Sequence, residues 1–188
     1  MTKEELRTKK ISAISLGCDK NRVDLEQMLG KLRNYGFPVI DDISDAEIII
    51  VNTCAFIQPA VKEAIDNILL ATSQKKVKCE KVIVTGCLNE RYLSEASEEF
   101  PEVDYFLKIK DYNKIIDVVE DLYEVKRTNY KYQLGRVQTT SKHYAFLKIA
   151  DGCDNGCAYC TIPRIRGRYK SVPIEVLVKQ AKDLAKNG

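Results

Sequence analysis

The sequence predicts an α/β protein built on a doubly wound parallel sheet, followed by the opening elements of a second α/β unit. Three observations lead there. Apolar runs alternate with segments of helical period over residues 10–125. The run Ile48-Ile49-Ile50-Val51 is apolar at successive positions, as in a strand buried on both faces of a parallel sheet. Three of the predicted strands run out into a cysteine, at Cys18, Cys54 and Cys87.

Residues 10–17 form the first predicted strand. Residues 21–35 follow as a helix, because Leu25, Met28, Leu29 and Leu32 recur at helical spacing. Residues 47–53 are the second strand. Residues 58–74 are the second helix, with Val61, Ala64, Ile65, Ile68 and Leu69 on its inner face. A third strand at 81–86, a third helix at 89–100, a short strand at 104–109 and a fourth helix at 112–125 complete the alternation. Parallel strands joined by helices need both sheet faces covered, which is the doubly wound arrangement. Residues 127–142 lack apolar periodicity and contain Thr139-Thr140-Ser141, the composition of a linker. Residues 144–150 then read as a strand, and 174–186 as a helix with Leu177, Val178, Ala181 and Leu184 on one face. The expected organisation is a first domain over 1–126, a linker over 127–142 and a second unit over 143–188.

Composition narrows the class. Of the 188 residues, 45% are apolar, enough for a real core, and the net charge of +3 is too small to argue for nucleic acid, so no direct DNA binding is expected. The charged start MTKEELRTKK is followed by no apolar leader core, and no apolar run approaches membrane-spanning length, so a cytoplasmic protein without membrane contact is expected. In that reducing compartment the seven cysteines are better metal ligands than disulfide partners.

The cysteine pattern carries the chemistry. Cys153, Cys157 and Cys160 follow a CxxxCxxC spacing with no fourth cysteine after them. Three thiolates hold three irons of a cubane and leave the fourth open, which suits binding and reducing a small molecule better than carrying electrons. Zinc ordinarily takes four ligands in two close pairs, and the sole histidine, His143, lies ten residues before Cys153 without knuckle spacing. Cys18, Cys54 and Cys87 all stand at carboxyl ends of predicted strands, the edge where ligands bind in an open parallel sheet. Any one alone reads as a small buried hydrophobe; the three together read as a second metal site. Cys79 precedes its strand, belongs at the opposite edge and reads as an ordinary free thiol. Arg164, Arg166, Arg168 and Lys170 either compensate a cluster's negative charge or form a solvated loop. Asn21 and Asp24 read as caps of the first helix. No acid–base constellation is present, so no catalytic residue is named.

The CxxxCxxC loop with Tyr159 before its last cysteine resembles the radical S-adenosylmethionine (SAM) enzymes. Adding Ser15-Leu16-Gly17-Cys18-Asp19-Lys20-Asn21-Arg22-Val23-Asp24, Val51-Asn52-Thr53-Cys54-Ala55-Phe56, Thr85-Gly86-Cys87-Leu88 and Ile162-Pro163-Arg164-Ile165-Arg166-Gly167, the whole chain resembles the radical SAM methylthiotransferases. The Gly-Cys-Asp-Lys-Asn wording is similar to the RimO branch, which acts on the β-carbon of an aspartate in a small-subunit ribosomal protein; the tRNA-modifying branch more often reads Gly-Cys-Gln-Met-Asn. The resemblance implies an N-terminal methylthiotransferase domain and the first strand, cluster loop and helix of a radical SAM (β/α) barrel. It implies two 4Fe-4S clusters, an auxiliary one on Cys18, Cys54 and Cys87 and a radical-generating one on Cys153, Cys157 and Cys160. It further implies SAM as cofactor with Tyr159 by its adenine, a ribosomal protein as substrate, and an electron donor of flavodoxin or ferredoxin type. Only 28 residues follow Cys160, whereas a (β/α) barrel takes ~200 or more. The chain is therefore expected to be a fragment, inactive alone. The tRNA-modifying enzyme and a non-catalytic iron-sulfur-binding protein are the alternatives.

Overall fold

The structure is a computed structural model and describes residues 1–127 and 135–186. A short helix missed in the sequence, α1 (Lys3–Arg7), opens the chain with a capping box in which Thr2 and Glu5 satisfy each other's backbone N–H groups. It leads into β1 (Ile11–Ser15), α2 (Asp19–Tyr35), β2 (Ile48–Thr53), α3 (Gln58–Ser73), β3 (Lys81–Gly86), α4 (Cys87–Arg91), α5 (Leu93–Glu99), β4 (Tyr105–Leu107) and α6 (Ile115–Leu122). The strands form one parallel sheet in the order β1-β2-β3-β4.

That order alone would put every crossover helix on one face, since right-handed connections stepping in one direction all pass over the same side. An isolated parallel bridge between Ile11 and Val39 changes the topology. After α2 the chain returns as a vestigial strand outside β1 and only then crosses to β2. Counting it, the spatial order is the doubly wound 2-1-3-4-5, with the reversal between β1 and β2. Helices accordingly flank both faces. Leu25, Met28 and Leu32 of α2 and Ile115 and Val119 of α6 pack with Ile48, Ile50 and Ile83 on one side. Ala64, Ile68 and Ala71 of α3 and Ala96 of α5 pack with Ile49, Val51, Val82 and Val84 on the other. The unbroken apolar run of β2 follows from this, because its odd and even positions feed different cores.

Several expected elements differ in extent. The helix expected over 89–100 starts at Cys87 and breaks at Tyr92, whose φ of −136° and ψ of 35° leave the helical region. The helix expected over 112–125 begins as a 3₁₀ turn over Ile109–Lys114 and ends at Leu122. Glu124 at φ 55° then turns the chain so that Val125 N–H donates back to Glu120 O at 2.9 Å.

Of the expected linker, residues 128–134 lie outside the described residues. Residues 135–142 form a strap on α2. Arg136 pairs with Glu26, Val137 N–H donates to Glu26 O at 3.0 Å, and both the N–H and the hydroxyl of Thr139 donate to Glu26 Oε1 at 2.7 Å. The strand expected over 144–150 shrinks to β5 (Ala150–Asp151). Side chains take its carbonyls instead: Gln138 Nε2 and Thr140 Oγ1 donate to Tyr144 O, and Arg136 Nη1 to Phe146 O. α7 (Ile162–Arg166) follows, then β6 (Lys170–Ser171), antiparallel to β5, and α8 (Ile174–Lys186), which has no buried residue.

One buried cation makes this fold pH-sensitive. Lys31 on α2 is buried and donates to Asn113 Oδ1, and burial brings its pKa down to about 8. In the unfolded chain it titrates near ~10.4. Between those values the unfolded chain binds the extra proton, so the stabilisation is complete above about pH 10.5 and is lost as pH falls to about 8. Urea unfolding should show the wild type gaining about 2–3 kcal/mol over Lys31→Met between pH 8 and 10.5; parallel profiles for the two proteins would mean that Lys31 keeps its ordinary pKa.

Candidate functional site

Sheet register brings the first three cysteines together. The last paired positions of β2 and β3 are Thr53 and Gly86, so Cys54 and Cys87 lie side by side one residue beyond the sheet. Ser15 pairs with Asn52, which sets Gly17 opposite Cys54 and Cys18 one residue further out. Two glycines permit the approach. A Cβ on Gly17, whose φ is +83°, would stand 2.6 Å from Cys54 Cβ and 2.9 Å from its Sγ; one on Gly86, with φ +96°, would collide with the Thr53 carbonyl. Hydroxyls lace the same edge, Thr53 Oγ1 donating to Thr85 O at 2.6 Å and Thr85 Oγ1 to Leu107 O at 2.7 Å. Cys54 and Cys87 are buried, and Cys18 is exposed at the N-cap of α2. Burial pushes the Cys87 thiol up, a rise that Arg166 opposes. Cys79 lies at the amino end of β3, where its thiol donates to Lys81 O and burial raises its pKa to about 11.

Asn21 and Asp24 are not caps. α2 starts at Asp19 with no side-chain cap, two residues before Asn21. Asn21 is instead a fully buried tie between strand ends: its Nδ2 donates to Thr53 O at 2.9 Å and to Leu16 O at 3.3 Å. Its Oδ1 accepts from Arg166 Nη2 and from the Cys87 thiol, with Sγ 3.7 Å away. Asp24, also buried, receives Lys148 and Arg166, and both cations reach Asp151 as well, at 3.0 and 3.2 Å. Burial alone would push the Asp151 carboxyl up; Lys148 and Arg166 outweigh it and hold the carboxyl below its usual range.

The second cysteine set sits on the loop between β5 and α7. Gly152 and Gly156 adopt φ of +71° and +62°, Cys153 N–H donates to Gly167 O at 3.2 Å, and Cys160 N–H donates to Cys157 O at 3.0 Å. Asp151 and Asp154 accept from Gly152 N–H and Tyr169 N–H. Cys157 is exposed, Cys153 and Cys160 are half-buried, and Tyr159 is 90% exposed. α7 lays Arg166 against Asn21 and Asp24, so this loop is docked at the edge that carries the first set.

Among the described residues no three His, Cys, Asp or Glu side chains are grouped to hold a single metal ion. The donor chemistry at the strand ends is nonetheless thiol-only, and buried polar atoms nearby find no protein partner: both side-chain atoms of Asn89, two residues past Cys87, and Oδ1 of Asn52.

Residues 10–108 match the model of the Uncharacterized protein family UPF0004. The chain belongs to that family. The matched UPF0004 region contains Cys18, Cys54 and Cys87 with Asn21 and Asp24, and stops short of Cys153. Two relatives are each named Ribosomal protein uS12 methylthiotransferase RimO. The one from Clostridium tetani (strain Massachusetts / E88) is 46% identical over 95% of this chain and 42% of its own length. The one from Lachnoclostridium phytofermentans is 47% identical over 95% and 43%. The chain thus spans about two fifths of the length of the curated relatives it matches. Among solved structures, the cobalamin-dependent SAM radical enzyme OxsB, with aqua-cobalamin and SAM bound, superposes over 98% of this chain and 32% of its own. Its TM-score is 0.59 at 13% identity, a likeness of fold.

Within this UPF0004 architecture, sequence reasoning missed Asn21 and Arg166 as a joined pair. Only the odd placement of an asparagine three residues after a strand-end cysteine hints at it. Asn21→Leu should strip the donor from two buried carbonyls, those of Leu16 and Thr53, at about 1–3 kcal/mol each. Guanidinium unfolding measures this; a loss under ~1 kcal/mol would show that water replaces the amide.

Proposed function

We propose that the chain is the part of a radical SAM methylthiotransferase that holds two 4Fe-4S clusters, an auxiliary one on Cys18, Cys54 and Cys87 and a SAM-binding one on Cys153, Cys157 and Cys160. The carrying observation is that register and Arg166 bring both thiol sets to one sheet edge. A single ion needs its ligand sulfurs in one small sphere, whereas a cubane takes one thiolate per iron. A thiol set with one cysteine beyond each of three neighbouring strand ends suits the cluster. When bound, an open-iron cluster on the 153–160 loop supplies a site for the amino and carboxylate groups of SAM and delivers the electron that splits its sulfonium. The chain's own residues hold and orient. Gly17 and Gly86 let the strand ends close up, Asn21 fixes the Leu16 and Thr53 carbonyls, and Arg166 pins the loop to Asp24.

The names of the relatives point the whole protein to ribosomal protein uS12; the resemblance of its motifs to the methylthiotransferases adds an aspartate β-carbon as acceptor and an electron donor of flavodoxin or ferredoxin type. Residues 1–126 would form the auxiliary-cluster domain and 143–188 the start of the SAM domain, with Tyr159 available to the nucleoside on the exposed loop. No helix among the described residues is long and apolar enough to cross a membrane. Work on a ribosomal protein would place the whole protein in the cytoplasm.

Iron content tests the two-cluster reading. Anaerobically reconstituted chain should hold about eight irons, two cubanes. Cys18→Ala/Cys54→Ala/Cys87→Ala and Cys153→Ala/Cys157→Ala/Cys160→Ala should each leave about four, and Cys79→Ala should change nothing. Loss of all iron, or of none, in the first triple variant overturns the assignment.

A further inference from the structure

The four cations after the second cysteine loop do not behave alike. Arg164, Arg168 and Lys170 are exposed, whereas the side chain of Arg166 is 6% exposed and joined to the first cysteine set through Asn21. It donates Nη2 to Asn21 Oδ1 and Nη1 to Asp24 and Asp151. Asn21 Oδ1 is the same atom to which the Cys87 thiol donates. A metal-bound Cys87 has no S–H to donate, so its sulfur would face that oxygen as a second negative centre. Arg166 then donates the hydrogen bond that remains to the amide oxygen and supplies the positive charge beside the thiolate. The charge count is tight. Asp24, Asp151, Lys148 and Arg166 sum to zero, so removing the arginine leaves one uncompensated negative charge next to three thiolates.

We propose that Arg166 is a positioning residue for the strand-end thiols. It carries a buried cation from the segment after the Cys153–Cys160 loop to the Cys87 thiolate, so the electrostatics of the first centre depend on the docked second unit. This rests on the reading that Cys18, Cys54 and Cys87 hold a cluster. Arg166 neither binds iron nor exchanges a proton with it; its position sets how readily the cluster accepts one electron from an external reductant.

The test uses chain with Cys153, Cys157 and Cys160 changed to Ser, so that one centre reports. Iron per chain and the midpoint potential in a mediated dithionite titration followed by electron paramagnetic resonance are measured for this parent and for Arg166→Gln, Arg166→Lys and Asp24→Asn. Arg166→Gln should keep its iron and shift the midpoint lower, and Arg166→Lys should recover most of the shift. Asp24→Asn, which removes a negative charge from the same network, should shift the midpoint higher. A general loosening of the fold would move Gln and Asn variants in the same direction, so parallel shifts, or none, overturn the proposal. If Arg166→Gln loses iron, recovery in Arg166→Lys supports it and equal loss in both overturns it. A parent without iron overturns this inference together with the cluster assignment beneath it, whereas unshifted potentials in iron-loaded variants overturn this inference alone.

Discussion

The buried carboxylate of Asp24 is the constraint on which the arrangement of the molecule depends. A charged carboxylate out of water costs several kcal/mol unless its partners are in place. Both partners, Lys148 and Arg166, lie more than 120 residues away in the chain. With them present the carboxylate holds the segment leading into β5, and α7, against α2, while Glu26 holds the strap; without either cation Asp24 becomes an uncompensated charge in the interior. Such networks add little net stability over an apolar replacement, but removing one partner leaves a buried unpaired charge and is strongly destabilising. Here the arrangement so specified places one cysteine loop over the end of a sheet that carries three more thiols.

The sheet contributes the complementary rigidity. Doubly wound topology turns at the gap between β1 and β2, and a crevice forms there because the chain leaves in opposite directions on the two sides. Gly17 and Cys54 face each other across that gap, and Gly86 closes against Thr53 one strand along. A side chain at either glycine would push the strand ends apart. The positions of Cys18, Cys54 and Cys87 are thus consequences of backbone register and two left-handed glycines more than of the thiols themselves. The second set differs in kind: its geometry comes from turns, a carbonyl at Gly167 and the grip of Arg166, so it is formed only where α7 docks.

How much of this could be read from residues alone follows from the range of the forces involved. The strands and the two-faced sheet were legible because apolar periodicity is a local record of burial, as β2 shows. The convergence of three cysteines was legible because strand ends share an edge whatever the loops do. The vestigial strand at Val39 was not, since a single bridge leaves no periodic trace. Residues 144–150 carried enough apolar character to read as a strand, yet the Tyr144 and Phe146 carbonyls went to the side chains of Arg136, Gln138 and Thr140, a competition visible only in three dimensions. The aperiodic stretch before them looked like a spacer for the same reason: a strap held by polar contacts to Glu26 has no apolar stripe to display.

Asn21 shows most clearly why position in sequence misleads about role. At the start of a helix and a few residues past a strand, an asparagine has a local explanation as a cap, and local explanations are normally sufficient. The helix begins earlier, which releases the amide to span the Leu16 and Thr53 carbonyls and leaves its oxygen facing inward. An inward amide oxygen beside a thiol that would ionise on binding the proposed cluster is favoured by a nearby cation, and α2 offers none there: Lys20 reaches out to the Ala150 carbonyl and Arg22 to Thr139. The nearest solution is an arginine from a different part of the chain. That arginine links a loop of glycines and cysteines late in the sequence to the end of the first strand, and through it the proposed second centre bears on the electrostatics of the first.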